Sequence, residues 1–305
     1  MKALLLAAGL GTRLRPLTFH CAKASLPLLN VPFLKYPLQF LRSQNVESVV
    51  VNLHAHPDSV RNIAGTSYHG MHIDYSHEPQ ILGTAGAIRK AADFLSDHPF
   101  VVLNGDMLID VPLDAVLRQH MDTDADVTLV IARHEQFPSY SSIYFDDSMS
   151  PPVWIGMQPS DSANKYHYCG VQIVSPRIVS SIPEDRKTEV FRDIYPQLAV
   201  SQKIFGFEYN GLWMEVGNLR EYLRTSLKLL HNPLPPQLRP EGINGLVSSK
   251  AVIEEGAVVS ESIIMDGARI ESGVTIEHSI VGQGVAVTRS RKNVALARGI
   301  LPWYF

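Results

Sequence analysis

Residues 2–9, KALLLAAG, form a short, continuously apolar run that stops on a glycine, with Arg13 and Arg15 close behind. Such a run suits a central parallel strand covered on both faces. A secretory leader needs a longer apolar core and a small-residue cleavage site, whereas here Gly9 interrupts after six residues. The loop that follows, GLGTRLRPLT, is no P-loop, since GxxxxGK[ST] is absent. Nor does it fit a dinucleotide fingerprint. It reads G-x-G-x-x-L, without the third glycine and without an acidic residue about twenty positions on to hold a ribose. A nicotinamide-type oxidoreductase is therefore disfavoured. Small residues at Gly9 and Gly11 let backbone N–H groups approach phosphate oxygens closely, and Arg13 adds a bidentate cation.

Charge supports a small anionic ligand. Between Met1 and Val46 stand Lys2, Arg13, Arg15, Lys23, Lys35 and Arg42 with no acidic residue; the first carboxylate is Glu47. The whole chain carries 27 basic and 30 acidic residues, so bulk attraction to nucleic acid is not expected, and the basic N-terminal segment suits a small polyanion. Chance clustering on a solvated face is the bland alternative. No apolar run approaches the length of a membrane span. Two cysteines without CxxC spacing, and twelve histidines without HExxH, argue against a disulfide framework or a zinc site. A cytoplasmic protein is the expectation.

Beyond the loop, VESVVVNL (46–53) and FVVLNGD (100–106) read as parallel strands, separated by a helix over GTAGAIRKAADFL (83–95) with Ala87, Ala91 and Leu95 on one face. ADVTLVIARH (125–134), YHYCGVQIVSP (166–176) and KIFGFEYNGLWMEVG (203–217) extend the sheet, and a Leu-rich helix spans 219–231. This is an α/β chain with a Rossmann-like doubly wound mixed sheet, which binds ligands beyond the carboxyl ends of its strands. A proline-rich stretch, 232–243, reads as a linker between a domain of residues 1–231 and a segment of residues 244–305. In that last segment Ile253, Val259, Ile264, Ile270, Ile276, Val281 and Val287 recur in steps of six interrupted by two of five. The repeat predicts a short left-handed parallel β-helix of about two coils. Separate amphipathic strands are the alternative. The closing ARGILPWYF is expected to dock on the fold or on another subunit.

The ordered match of LLLAAGLGTRLRPLT and the later Lys23 in CAKASLPLLNVP resembles the signature of the sugar-1-phosphate nucleotidyltransferases, the nucleotide-sugar pyrophosphorylases, which write L-A-x-G-x-G-T-R-L-x-P-L-T and then P-K-P-L-x-P. The resemblance implies the nucleotide-diphospho-sugar transferase fold. It implies an enzyme that joins a nucleoside triphosphate to a sugar 1-phosphate and releases pyrophosphate, with Mg²⁺ as its ion. It assigns catalysis to Arg13, Lys23 and Asp106, and nucleotide contacts to Leu6, Ala7, Ala8, Gly9, Gly11, Thr12, Arg13, Gln80, Gly83, Thr84 and Asn104. Sugar contacts fall to Gly170 and Tyr168, and metal ligation to Asp106 and Glu215. The LGTAG helix start (82–86) would add a favourable field for phosphate.

Four departures from the family pattern involve six residues. Ala22 and Ala24 replace the prolines around the lysine, Glu215 replaces an aspartate, Ser141 and Ser142 stand where a glycine is common, and Gln158 replaces the lysine of E-K-P. They keep open a second reading, a catalytically inactive paralogue that binds a nucleotide sugar and regulates a partner. The substrates also stay open between GTP and UTP. The LGTAG context resembles mannose-1-phosphate guanylyltransferases, while AAG and the lost E-K-P resemble muramate-type uridylyltransferases. Gln80, an amide that can donate and accept, suits either base. The exposed coil ends of a β-helix are compatible with a homo-oligomer.

Overall fold

The computed structural model describes every residue except 96, 138, 139, 160–162, 185 and 202, and the side chain of residue 200. By its contacts the chain divides into two units: Met1–Ala8, Phe40–His54 and Gly65–Trp213 make the first, and Gly9–Gln39, Ala55–Ala64 and Met214–Phe305 the second. These units are not laid out in chain order, because the second gathers two N-terminal segments with the C-terminal one.

The first unit is built on a ten-stranded sheet. Its strands are β1 (Lys2–Leu6), β2 (Ser48–Leu53), β3 (Ser67–Tyr68), β4 (Met71–His77), β5 (Phe100–Asn104), β6 (Val127–Arg133), β7 (Ser142–Asp146), β8 (Val153–Gly156), β9 (Asn164–Val174) and β10 (Ile204–Glu208). They lie in the order β7-β8-β10-β6-β9-β5-β1-β2-β4-β3. β5, β1, β2 and β4 run parallel, while β9 lies antiparallel between β5 and β6, so the sheet is mixed as expected. The central strands owe their unbroken apolar runs to cover on both faces: Ala3–Leu5, Val49–Val51 and Val101–Leu103 are all buried. β4 near the edge instead alternates, with Met71 and Ile73 buried and His72 and Asp74 exposed. After β1 the chain goes to β2 on one side and later to β5 on the other. The carboxyl end of β1 is thus a topological switch point, where doubly wound sheets open a crevice.

The expected helix over 83–95 forms in two pieces, α1 (Gly83–Lys90) and a turn at Ala92–Leu95. Ala91 N–H is shared between the Ala87 and Ile88 carbonyls, which tightens the helix and breaks it, while Ala87, Ala91 and Leu95 still face the core. At the back of the sheet His120 is 1% exposed. Ser175 Oγ donates to the Ala125 carbonyl, so it accepts from His120 Nε2–H, and Nδ1 accepts a hydrogen bond from the Thr128 hydroxyl. Burial, with Arg177 adding to it, lowers this imidazole to about 4, and burial lowers His167 to about 4 as well.

In the second unit, α2 spans Leu219–His231, as read from the sequence, with Asn218 capping the Glu221 N–H. The Asn30 amide donates to Asn244 Oδ1, the Gly245 carbonyl and the Val247 carbonyl, tying the N-terminal loops to the C-terminal segment. The proline-rich stretch is anchored at buried Leu234 and Leu238, with Arg239 donating to the Leu234 carbonyl. Its prolines stiffen an anchored connection.

The hexapeptide segment stacks as three parallel ladders, Val252–Ile253 on Arg269–Ile270 on Ala286–Val287, Val258–Ser260 on Thr275–Glu277 on Arg291–Lys292, and Ile263–Ile264 on Ile280–Val281 on Val294–Leu296. This arrangement is consistent with a β-helix, and it has three rungs rather than about two, since residues 291–296 continue the coil past the last apolar repeat that the spacing revealed. Ile264, Ile270, Ile276, Val281 and Val287 form its core, while Ile253 on the first rung is exposed because no rung lies before it. The C-terminal Trp303–Tyr304 pairs antiparallel with Val294–Leu296 and sets Trp303 edge-on to Phe19 at 6.1 Å. Both cysteines are free; burial pushes the Cys21 thiol up to about 11 and Cys169 up to about 12. Among the described residues no helix is long and apolar enough to cross a membrane.

The two buried imidazoles make stability fall with pH. An unfolded imidazole takes its proton near 6.5 and these folded ones near 4, so between those values the unfolded chain binds more protons. Each site withdraws about 3 kcal/mol across that window. Urea unfolding at pH 7.5 and pH 4.5 should show the loss, and His120→Gln should remove about half of the difference.

Candidate functional site

Within the first unit the carboxyl ends of β1, β2 and β5 meet in register, with Leu6 opposite both Asn52 and Asn104. The Gly105 N–H donates to the Leu6 carbonyl at 2.9 Å, and a Cβ at position 105 would sit 2.6 Å from that oxygen. Glycine is therefore required there, and Asn104 and Asp106, both half-buried, are carried on either side of a clamped backbone. Gly170 is required for a related reason. It sits at φ 75° in a bulge of β9, and a Cβ there would meet Met107 Sδ at 2.4 Å and Asn104 Nδ2 at 3.1 Å. The Trp213 indole N–H donates to the Cys169 carbonyl and holds the backbone just before it. Trp213, read from the sequence as a core residue, is half-buried and stands with Phe137, Tyr140 and His167, ring centroids 4.5–5.1 Å from His167. No periodic signal could have found this aromatic group, which comes from separate strands and loops. Tyr168 lies half-buried against Phe191, and burial holds its phenol well above the usual range.

The expected nucleotide loops are held by an asparagine amide, two carboxylates and a backbone carbonyl. Asn52 Oδ1 accepts the N–H groups of Ala7 (2.6 Å) and Ala8 (3.2 Å), and its Nδ2 donates to Glu78 Oε1 at 2.8 Å. Glu78 Oε2 accepts the Leu82 N–H at 3.0 Å, and Glu189 Oε2 accepts the Thr84 N–H at 3.1 Å. The Ala85 and Gly86 N–H groups go to the Thr188 carbonyl. Four of the N–H groups at the start of α1 are thus already satisfied by protein acceptors, two of them charged. This corrects the expectation of a phosphate-attracting helix start, because an anion would face the carboxylates of Glu78 and Glu189. Gly83 is needed at φ 74°, where a Cβ would lie 2.6 Å from the Thr188 carbonyl. Gly83 and Thr84 remain half-buried and Gln80 exposed. Asn52, Glu78, Thr188 and Glu189 were missed by the sequence reading, since nothing in their spacing distinguishes them from ordinary strand-end residues.

Within the second unit Gly9, Thr12 and Arg13 are exposed. Gly11 lies at φ 60°, and its carbonyl accepts the Thr18 hydroxyl and the Leu14 N–H, shaping the turn Thr12–Leu14. No protein atom lies within 4 Å of where a Cβ at Gly9 would be, so packing does not demand that glycine. Arg13 Nη2 pairs with Glu215 Oε1 at 3.5 Å. Lys23 opens a 3₁₀ turn between buried Ala22 and Ala24. Ala22 adopts φ −63°, ψ 149°, the conformation proline would impose, and its N–H donates to Ser59 Oγ at 3.3 Å, a bond proline could not make. Ser25 Oγ donates to the same oxygen at 2.9 Å, and Ser59 Oγ in turn donates to the His56 carbonyl. Hydrogen bonds thus anchor the lysine turn where the family pattern uses proline.

Exposed Ser141 precedes β7, and exposed Gln158 follows β8; Pro138 and Ser139 of the same stretch lie outside the described residues. Among the described residues no three His, Cys, Asp or Glu side chains cluster as a protein-only metal centre. Mg²⁺ needs none, since it binds through one or two carboxylates plus substrate phosphates and waters.

Comparison with known proteins identifies the family and the fold. Residues 2–232 match the family model described as nucleotidyl transferase. The chain is 29% identical over 273 residues to a probable mannose-1-phosphate guanylyltransferase 2 of Arabidopsis thaliana, covering 85% of this chain and 75% of the relative. In fold it is similar to HddC from Yersinia pseudotuberculosis, solved in complex with GMP-PN (TM-score 0.63, 21% identity, 75% of this chain and 99% of the other). It is also similar to a putative glucose-1-phosphate thymidylyltransferase from Bacillus anthracis (TM-score 0.67, 19% identity, 78% and 98%).

Two substitutions test the local reading. Gly105→Ala forces its methyl onto a backbone oxygen that cannot swing away, and should cost about 2 kcal/mol or more in urea unfolding. Ser59→Ala should cost only about 1 kcal/mol in the same experiment, while raising proteolytic cleavage within residues 20–26.

Proposed function

The chain belongs to the nucleotidyl transferase family, and on that premise we propose that it joins GTP to a hexose 1-phosphate, mannose 1-phosphate first, with release of pyrophosphate. The observation that carries this reading is the contrast among its glycines. Gly105 and Gly170 are dictated by protein neighbours, whereas Gly9, in the glycine loop, faces open space that a phosphate can fill against the backbone. The guanine and mannose preference rests on the names of the relatives.

The sugar phosphate has a second pKa of about 6, so its attacking oxygen is ionised at neutral pH and needs no general base. That oxygen bonds to the α-phosphorus as the bond to the β-phosphate oxygen breaks, and pyrophosphate leaves with the electron pair. The remaining work is to hold two polyanions together. Gly9, Gly11 and Thr12 cradle the triphosphate, and Arg13 leaves Glu215 to meet the departing phosphates. Lys23 binds the α-phosphate or the sugar phosphate. Gly83, Thr84, Gln80 and Asn104 contact base and ribose, a duty that suits the acceptor-rich environment of the α1 start better than phosphate. Gly170 and Tyr168 meet the sugar. Asp106, a half-buried hard oxygen donor next to the clamped Gly105, fits Mg²⁺, and Glu215 is the second carboxylate offered to it. When bound, the ion would neutralise phosphate charge. The inactive reading loses ground because Arg13, Lys23 and Asp106 are present and the lysine turn is anchored without its prolines.

Pyrophosphate release across four nucleoside triphosphates and several sugar 1-phosphates, with Mg²⁺, tests the proposal. GTP with mannose 1-phosphate should give the strongest signal. Asp106→Ala should lower kcat by about a hundredfold or more, and Arg13→Lys by about tenfold or more, because an ammonium replaces a bidentate fork. A preference for UTP would overturn the base assignment, and no turnover with any pair would overturn the reaction.

A further inference from the structure

Glu78 is 1% exposed and Asn52 4%, and neither belongs to the residues expected to touch substrate. Between them they account for three backbone N–H groups on two separate loops: Ala7 and Ala8 after β1, and Leu82 before α1. The chemistry of this relay depends on a carboxylate at position 78. A carboxylate only accepts, so the Asn52 Nδ2 must turn towards Glu78 Oε1, and the Asn52 carbonyl oxygen must then face Ala7 and Ala8. The second oxygen, Oε2, is left for Leu82. Glu78 is itself fixed at the main chain, its N–H donating to the Leu53 carbonyl at 2.7 Å and its own carbonyl lying 2.8 Å from His54 Nδ1.

We propose that Glu78 is a positioning residue for the nucleotide: through Asn52 and Leu82 it locks the Ala7–Ala8 and Leu82–Thr84 loops into one mutual arrangement. This rests on the reading of those loops as nucleotide-binding. The hydrogen-bond logic makes the proposal separable from ordinary packing. An amide at position 78 has one accepting and one donating end. It can satisfy the Asn52 amide or the Leu82 N–H, and the other partner then meets a donor. Turning Asn52 over to relieve the clash would present its NH₂ group to two N–H groups. An aspartate at 52 opposite the native Glu78 would set two buried carboxylates against each other. With both changes together the pattern closes again. The aspartate accepts from Ala7, Ala8 and the introduced amide, whose carbonyl accepts from Leu82, with one buried negative charge as before.

The test measures GTP binding by calorimetry and steady-state KM and kcat in wild type, Glu78→Gln, Asn52→Asp and the double variant, with thermal midpoints as the folding control. Glu78→Gln should raise the Kd and KM for GTP about tenfold and leave the KM for the sugar 1-phosphate within about twofold, because the relay touches one substrate's loops. Asn52→Asp should be at least as damaging, and the double variant should return to within about threefold of wild type. Where Glu78→Gln fails to fold, Glu78→Asp serves instead. It keeps an accept-only group on a shorter arm and should weaken GTP by a smaller factor. Unchanged GTP affinity in a folded Glu78 variant, or a folded double variant no better than the worse single one, would overturn the proposal. Absence of GTP binding by the wild-type protein would instead sink the nucleotide reading beneath it.

Discussion

The Gly105 N–H meets the Leu6 carbonyl across a gap too narrow for a methyl group, and the chemical end of the first unit depends on that contact. It joins the tips of two parallel strands at the point where the winding of the sheet reverses. Asn104 and Asp106 are held by it as neighbours of a fixed backbone rather than as members of a free loop. The bulge at Gly170 closes on Asn104 from the next strand, and the Trp213 indole pins that bulge in turn. Backbone proximity, enforced by glycine, sets the positions from which polar side chains act.

The helix start at Gly83 shows how an apparently obvious electrostatic feature can be turned to another use. A free helix N-terminus favours phosphate. Here Glu78, Glu189 and the Thr188 carbonyl take up its N–H groups, so the partial positive charge is spent inside the protein. What the loop offers outward is a rigid surface of small residues over an acidic floor. Neutral donor groups are welcome on such a surface and anions are not. Under the proposed function phosphate recognition falls to exposed Arg13 and the glycine loop around it, whose glycines at 9 and 11 serve different ends. Gly11 is dictated by its turn and by Thr18, and Gly9 by no protein neighbour.

Much of the fold could be read from sequence because burial writes itself as pattern. β1, β2 and β5 appear as unbroken apolar runs since both faces are covered, and α2 matches its expected limits because a cap and an amphipathic stripe coincide. The six-residue step in Ile264, Ile270 and Ile276 shows in the same way. Illegible features were those made by tertiary contact alone. Residues 291–296 of the third rung lie beyond the last clear apolar repeat at Val287, and the proline-rich stretch reads as a linker although Leu234 and Leu238 anchor it. The match of Arg13, Lys23 and Asp106 to a family pattern identified candidate chemistry, yet Asn52, Glu78 and Glu189, which hold the Ala7–Ala8 and Leu82–Thr84 backbone, and Ser59, which holds the lysine turn, carry no motif. Ala22 makes the point from the other side. It departs from the pattern in composition, while Ser59, far off in the chain, restores the constraint by hydrogen bonding.

The two cysteines bear on durability. With the thiols pushed up to about 11 and 12 by burial, the thiolate is strongly disfavoured at neutral pH. Peroxide, disulfides and alkylating agents all react through the thiolate, so a raised thiol slows each of them. Cys21 stands two residues from Lys23, at a place where an adduct would disturb the lysine turn directly, and burial is what keeps that position chemically quiet. The raised thiols come from packing, and that effect lasts as long as the packing does.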